Sequence, residues 1–334
     1  MTYIINHKTF NITVKNCAET NFINYRFGVL QHMEVFHSGE RKVQAKLGVI
    51  NKANLVGQMI QPFIDEPYQF FIESQSFIII GSTDAKGELW SSFICGDRGF
   101  IRVINDRTIQ IHMTEKNNDV LLTNLKSNLN VGMIVIEFST RIRIRINGVA
   151  SILDEETIEV KTEQVYGNCP KYIQSRHIKL NLINETKQLE TLHSMHLNQD
   201  QRPWIERSDT FFVSSSNSLG KTDVSHRGGQ AGFIEVIDET TLIYPDYVGN
   251  MMFNTLGNMI ENAKTGLLFI NFQEGHTLQL TGSSKIIWNL NEDDKRKYPG
   301  AKRLVEYVIS SVIEKKHALK YQWEFLEYSP FNPK

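Results

Sequence analysis

Apolar and polar positions alternate along most of this chain with a period near two, the pattern of half-buried β-strands. FIIIGSTDAKG, from Phe77, is an apolar strand running into a polar turn at Gly87, and WSSFIC, from Trp90, is a second strand. Together they predict a hairpin. FIRVI, TIQIHM, GMIVIEF, RIRIRINGVASI and TIEVKTEQV follow as strands by alternation or β-branched content. Helical spacing is rarer. It occurs in NKANLVGQMI and EPYQFFIESQ and at Leu121, Leu122, Leu125 and Leu129. Leu304, Val305, Val308, Ile309, Val312 and Ile313 have it too and predict a closing helix. FHSGERKVQAKLGV is polar and reads as irregular.

The strand pattern is written twice. GELWSSFICGDRGFIRVINDRTI, from Gly87, overlays GKTDVSHRGGQAGFIEVIDETTL, from Gly220, at a shift of 133. The two agree at Ser92/Ser225, Gly96/Gly229, Gly99/Gly232, Phe100/Phe233, Ile101/Ile234, Val103/Val236, Ile104/Ile237 and Thr108/Thr241. After one extra residue the match resumes at 134, with Asn124/Asn258, Asn128/Asn262, Gly132/Gly266 and Gly148/Gly282. Units this long are domains rather than solenoid repeats, which run about 20 to 50 residues. Short antiparallel strands with one or two helices per copy cannot make a doubly wound sheet, whereas a small barrel closes its edges. The expected fold class is mainly β, two β-barrels in tandem. The expected division is a lead-in over 1–60, a first copy over 61–180, a linker rich in Asn, Gln, Thr and His over 181–202, and a second copy over 203–334. RPWIERSD reads as a short helix entering the second copy.

Where the copies differ, chemistry is the first suspect. In TDVSHRGG, Ser225 offers a hydroxyl and Arg227 a planar cation suited to a phosphate, while Gly228 and Gly229 allow close approach to a ligand. The first copy sets Phe93, Ile94 and Cys95 against His226, Arg227 and Gly228. Its groove has lost the cation. The plainer reading makes Arg227 a surface residue at a strand end and the glycines a turn. In PDYVGNMMFNTLGN, Asn250 precedes the helical period as an N-cap would, and free amides at a helix start seat phosphates. Thr255 and Asn258 can share one face, although Asn124 keeps the Asn258 position in the copy without the arginine. YGNCPKYIQSR gathers the cations Lys171 and Arg176, the rings Tyr166 and Tyr172, and the amide of Gln174 around Pro170. Arg141, Arg143 and Arg145 alternate with isoleucines and read as a solvated or interface face.

Composition narrows the partners. At 334 residues with 41% hydrophobic and 10% aromatic content, two cores can be buried. A net charge of −1 provides no field for nucleic acid but permits a local cationic pocket. Cys17, Cys95 and Cys169 form no close pair, so neither a disulfide framework nor a zinc ribbon is expected, and a reducing cytoplasm fits. Cys169 beside Pro170 reads as a packed, inert thiol. His37 and Glu40 are too few for a metal site. No signal-like run opens the chain and no stretch nears the roughly 18 apolar residues of a membrane helix, so a soluble protein is expected. No Ser/His/Asp order or GxxxxGK[ST] loop argues for a hydrolase.

DVSHRGGQAGFIEVID followed by YPDYVGNMMFNTLGNMIENAKTGLLFINF resembles the signature of the FMN-binding split-barrel family of pyridoxamine 5′-phosphate oxidase-like proteins. FHSGERKVQAKLGV, YGNCPKYIQSR and WEFLEYSPFNP resemble flanking motifs of its tandem-barrel bacterial members. The resemblance implies two split barrels forming an internal pseudo-dimer with one FMN in the groove between them. It implies cofactor contacts from Val224, Ser225, Arg227 and Gly228, from Asn250, Thr255 and Asn258, and from Lys171, Tyr172, Gln174 and Arg176 reaching across from the first copy. The implied activity is a flavin-dependent oxidoreductase acting on a small molecule that the residues leave unread. Two alternatives stay open: a non-catalytic flavin-binding or flavin-sensing module, and a barrel using deazaflavin or haem. No nicotinamide glycine fingerprint is present, so a nicotinamide reductant would bind transiently or come from a partner. Pairing into a homodimer is also open.

Overall fold

The computed structural model describes residues 2–5, 8–11, 35–113, 120–179, 189–319 and 321–333, so Cys17 lies outside the described residues. The lead-in holds a hairpin, β1 (Thr2–Ile5) and β2 (Lys8–Asn11), then helices α1 (Ser38–Lys46) and α2 (Ile50–Gly57), and α3 (Glu66–Glu73) opens the stretch assigned to the first copy. α1 replaces the irregular segment expected there. Its N-cap is His37, whose ring accepts from Gly39 while the Glu40 carboxylate accepts from the His37 amide. Histidine in the capping position is what hid this helix, because the usual signature has Ser, Thr, Asp or Asn.

The first sheet comprises β3 (Phe77–Thr83), β4 (Leu89–Cys95), β5 (Ile101–Asn105), β6 (Thr108–His112), β7 (Asn130–Glu137), β8 (Ile142–Ile152) and β9 (Thr157–Gly167), with α4 (Val120–Leu125) before β7. Its order is β4-β3-β7-β8-β9-β6-β5, with neighbours antiparallel. Ile78, Ile94, Ile101, Ile109, Val135, Ile144 and Val160, one from each strand, belong to one buried cluster. A sheet whose every strand reaches the same core has curled into a barrel. The two end strands do not pair, so the barrel is split.

β10 (Ser175–Lys179), β11 (Glu190–Ser194) and α5 (Gln201–Arg207) lead to a second sheet. Of the expected linker, 181–188 lie outside the described residues, and Glu190–Ser194 form a strand paired with Val312–Lys316 rather than a free connection. The second sheet comprises β12 (Thr210–Ser216), β13 (Thr222–Gly228), β14 (Glu235–Val236), β15 (Thr241–Asp246), β16 (Lys264–Asn271), β17 (His276–Ile287) and β18 (Arg303–Lys316), with α6 (Asn254–Glu261) before β16 and α7 (Glu292–Lys297) before β18. Its order, β13-β12-β16-β17-β18-β15-β14, repeats the first strand for strand. β19 (Gln322–Glu327) pairs with β10, tying the chain's end to the segment after the first sheet.

The closing helix is a correction: Leu304 to Ile313 lie in β18. Val305, Tyr307 and Ile309 enter the core at a period of two, and Val312 enters three residues later. Between them the register slips, since Gly282 faces Ile309 whereas Thr281 faces Ser311. One extra residue at a bulge imitates helical spacing.

Register carries the duplication to atomic detail. Ile78 faces Ile94 on β4 and Phe211 faces Arg227 on β13, both members of each pair being shifted by 133. The bulge after Asn147 recurs after Thr281, and a Cβ on Gly148 or Gly282 would strike the Lys161 or Val308 carbonyl. The sheets pack face to face with the same symmetry. Gly132 lies on the backbone of Asp223 and Gly266 on that of Leu89 and Trp90, while the hydroxyls of Ser91 and Ser214 meet at 2.6 Å. Phe77, Ile79, Phe93 and Ile134 of one sheet and Phe212, Val224, Leu268 and Ile270 of the other fill the seam. Among the described residues no helix is long and apolar enough to cross a membrane.

Candidate functional site

At one end of the seam a cleft opens between the sheets. It is lined by Arg143 and Arg145 of β8, the loop through Cys169 and Tyr172, His226 to Gly228 of β13, and the passage from Pro245 to Leu256 that enters α6. β8 supplies its arginines by strand alternation. Ile144 and Ile146 point into the first core, so Arg143 and Arg145 point out of it, toward the second sheet. The interface reading of that strand is thus the observed one for these two. Arg141 instead precedes β8 in a left-handed conformation and binds the Ile173 carbonyl and Glu327.

The lining carries four cations, Arg143, Arg145, Lys171 and Arg227, against the single carboxylate of Asp246. Arg145 is compensated by Asp223 at 2.9 Å, and Arg227 by Asp246 at 2.9 Å, an aspartate that Arg303 also holds at 2.7 Å. Arg143 has no carboxylate partner among the described residues. It donates to Nδ1 of His226 at 2.9 Å and to the Cys169 carbonyl at 2.7 Å, and its Nε is buried with no partner. Burial, then the positive charge of Arg145 and Arg227, lowers its pKa to about 9. The Nε of Arg227 and the Nε2 of His226 are likewise buried and unpaired. The site has donors and positive charge to spare.

Backbone strain gathers in the same place. Tyr172, Met251 and Phe253 have φ of 65°, 68° and 64°, and all three line the cleft. Non-glycine residues in this region cost energy and concentrate at functional sites. The rings of Tyr172 and Tyr247 lie 5.2 Å apart on the wall, and the Tyr172 hydroxyl donates to the Val248 carbonyl across the seam.

No protein-family model matches the chain, nor does any curated protein. Solved structures are similar in fold. HupZ from Group A Streptococcus is 13% identical, over 35% of this chain and 92% of that one, with a TM-score of 0.30. A Clostridium acetobutylicum protein of the pyridoxinephosphate oxidase family, related to general stress protein 26, is 13% identical over 38% and 92%, with a TM-score of 0.27. An FMN-binding protein of Syntrophomonas wolfei is 12% identical over 33% and 80%, with a TM-score of 0.26. The chain resembles pyridoxamine 5′-phosphate oxidase-like split barrels. At such identities the likeness is one of fold alone, and the site must speak through its own residues.

Of the residues singled out in the sequence, Lys171, Tyr172, Arg227, Gly228, Asn250 and Thr255 line the cleft of the split barrels. Val224, Ser225, Asn258, Gln174 and Arg176 do not. Val224 packs in the seam. Ser225 shares a 2.7 Å bond with Thr255, joining β13 to α6. Asn258 donates to Ser215 at 2.9 Å just as Asn124 donates to Ser82 at 2.9 Å, a helix-to-sheet tie present in both copies. Gln174 is buried between the Gly229 carbonyl and the Ser329 amide. Arg176 pairs with Asp209 at 2.5 and 2.6 Å and lies on the Phe272 ring. Asn250 is not the cap of α6: that place belongs to Phe253, and Asn250 accepts from the Met252 amide in a turn. Gly228 serves a crossing of chains, since a Cβ there would collide with the Tyr172 carbonyl, and Gly229 makes room for the Phe233 ring. Arg143, Arg145 and His226 went unread as site residues. The alternation that faced both arginines toward the interface was the available signal.

Proposed function

We propose that this cleft binds one anionic flavin, FMN, per chain, and that the protein is a flavin-dependent oxidoreductase acting on a small molecule. The observation that carries the reading is Arg143, a half-buried guanidinium whose Nε is enclosed and unpaired and which has no carboxylate partner among the described residues. A buried charge is costly unless an opposite charge meets it. A phosphate would do so, with Arg227 and Lys171 beside it, and a guanidinium matches a phosphate oxygen pair in geometry. The rings of Tyr172 and Tyr247, tilted by 35°, offer aromatic surface to a ring system.

The opposite end of the seam supports the same assignment. There Phe93 and Ile94 take the places of His226 and Arg227, and the shift of 134 puts Thr277 and Gln279 where Arg143 and Arg145 stand. Phe93 is instead stacked on Phe77 and edge-on to Trp323. That groove is filled with side chains and has lost every one of those cations.

The cleft encloses about 100 Å³, less than the roughly 300 to 1,000 Å³ of most small-molecule pockets. An FMN would therefore place only part of itself in the enclosed volume and extend along the open groove. When bound, the flavin supplies the redox chemistry; the chain's own residues bind, orient and neutralise. A cytoplasmic setting and a nicotinamide reductant that binds transiently complete the reading. The test is titration of the purified protein with FMN and with riboflavin, followed by fluorescence, and anaerobic bleaching of the loaded protein by NADH or NADPH. FMN should bind far more tightly than riboflavin. Equal affinities would remove the phosphate from the argument, and a bound flavin that no reductant bleaches would leave a binding module.

A further inference from the structure

His226 Nδ1 lies 2.9 Å from Arg143 Nη1. A guanidinium has five donors and no acceptor. In that contact Nδ1 can only accept, so the proton of a neutral ring must sit on Nε2. Nε2 is buried, has no partner, and belongs to a side chain that lines the cleft and is 5% exposed. Protonation of both nitrogens is opposed on every side. Burial comes first, and then Arg143, Arg176, Arg227 and Arg145 hold the imidazole pKa well below its ordinary value. The Phe212 ring closes another side, edge-on at 5.7 Å.

We propose that His226 is a positioning residue that presents a fixed, uncharged Nε2–H to the cleft, and that this donor takes a proton-free acceptor of the occupant, a carbonyl oxygen or unprotonated ring nitrogen. The acceptor's identity rests on the flavin reading above; the state of the ring does not. The site thereby divides its labour. Guanidiniums and Lys171 meet the negative charge, and His226 meets a neutral polar edge without adding to the charge. Arg143 fixes that state, because a second proton on Nδ1 would point at its guanidinium. The first copy shows the alternative, since Phe93 at the equivalent place offers no polar atom and its groove is packed apolar.

The test uses the full-length protein. Two-bond proton–nitrogen spectra of histidine-labelled protein from pH 5 to 8 should show His226 as the Nε2–H tautomer throughout, and Arg143→Met should release it into a mixture of the two tautomers. FMN should shift the Nε2 proton. His226→Phe should weaken FMN about tenfold, the worth of one hydrogen bond, while His226→Gln, whose amide nitrogen falls near the Nε2 position, should recover most of the loss. An Nδ1–H tautomer, a His226 titration near the ordinary histidine value, or unchanged FMN affinity in His226→Phe would overturn the proposal. If wild type takes no FMN yet His226 stays Nε2–H, the flavin reading fails and the donor stands.

Discussion

Arg227 occupies on β13 the position that Ile94 occupies on β4, each facing its partner strand in the same register. Ile94 belongs to the core of the first barrel, and β13 contributes nothing to the core of the second. In place of apolar burial at this strand, the second copy carries a cation held by Asp246 at the mouth of a cleft. Burying such a side chain is worth roughly 1.5 to 3 kcal/mol, so stability does not account for the cation at this position.

Replacing the uncompensated cation should cost most. Arg143→Ala should weaken FMN by about 2 kcal/mol, roughly thirtyfold, and riboflavin by no more than the roughly tenfold that the His226 contact is worth. Arg227→Ala should cost less because Asp246 already neutralises it, and Arg227→Lys should recover only part of that loss. Fluorescence titrations with both ligands give the ratios; parallel weakening of FMN and riboflavin would assign these arginines to the ring or to the fold.

Lys171 and Arg176, neighbours in one motif, should separate cleanly. Arg176→Ala leaves Asp209, whose side chain is 11% exposed, unpaired and should destabilise the fold by about 3 kcal/mol, with little change in FMN affinity of the folded fraction. Lys171→Ala should weaken FMN without lowering the unfolding midpoint. Denaturation curves set beside FMN titrations check both.

The seam depends on two glycines. A Cβ on Gly132 would stand 2.5 Å from the Asp223 Cα, so Gly132→Ala should destabilise the protein by about 1 to 3 kcal/mol through overpacking. Gly266→Ala should behave alike. Gly249→Ala, with nothing within 4 Å of its Cβ, should leave the urea midpoint in place.

Glu40 should give stability a pH dependence. It is 4% exposed, accepts from the His37 amide at 2.8 Å and binds Asn254, and burial raises its pKa from 4.5 to about 7. Between these values the folded state keeps a proton that the unfolded chain has released, so stability falls as pH rises from about 4.5 to 7. The span corresponds to about 3 kcal/mol at most. Glu40→Gln should flatten that part of the stability profile, as urea unfolding at several pH values would show; an unchanged slope would assign the dependence to other groups.

How far the sequence could be read follows from what each motif encodes locally. Alternation located every strand of the first sheet, and the shifts of 133 and 134 turned out to be the registers of equivalent strands. Arg227, Lys171 and Tyr172 were legible because their motifs lie in the loops and strand ends that meet at the cleft. Gln174 and Arg176 come from the same motif yet point into hydrogen bonds and an ion pair, a distinction made by tertiary packing. The β18 bulge disguised a strand as a helix, and the histidine cap disguised a helix as a loop. His226 and Arg143 are 83 residues apart, and nothing local announces their contact.

The most direct test is the number of flavins per chain. Saturating the purified protein with FMN, removing the excess and releasing the bound cofactor by denaturation gives that number from absorbance. One is expected, because three cationic positions of the cleft are Ile94, Thr277 and Gln279 in its counterpart. Two per chain would show that the packed groove also binds, and none would contradict the assignment of the cleft to FMN.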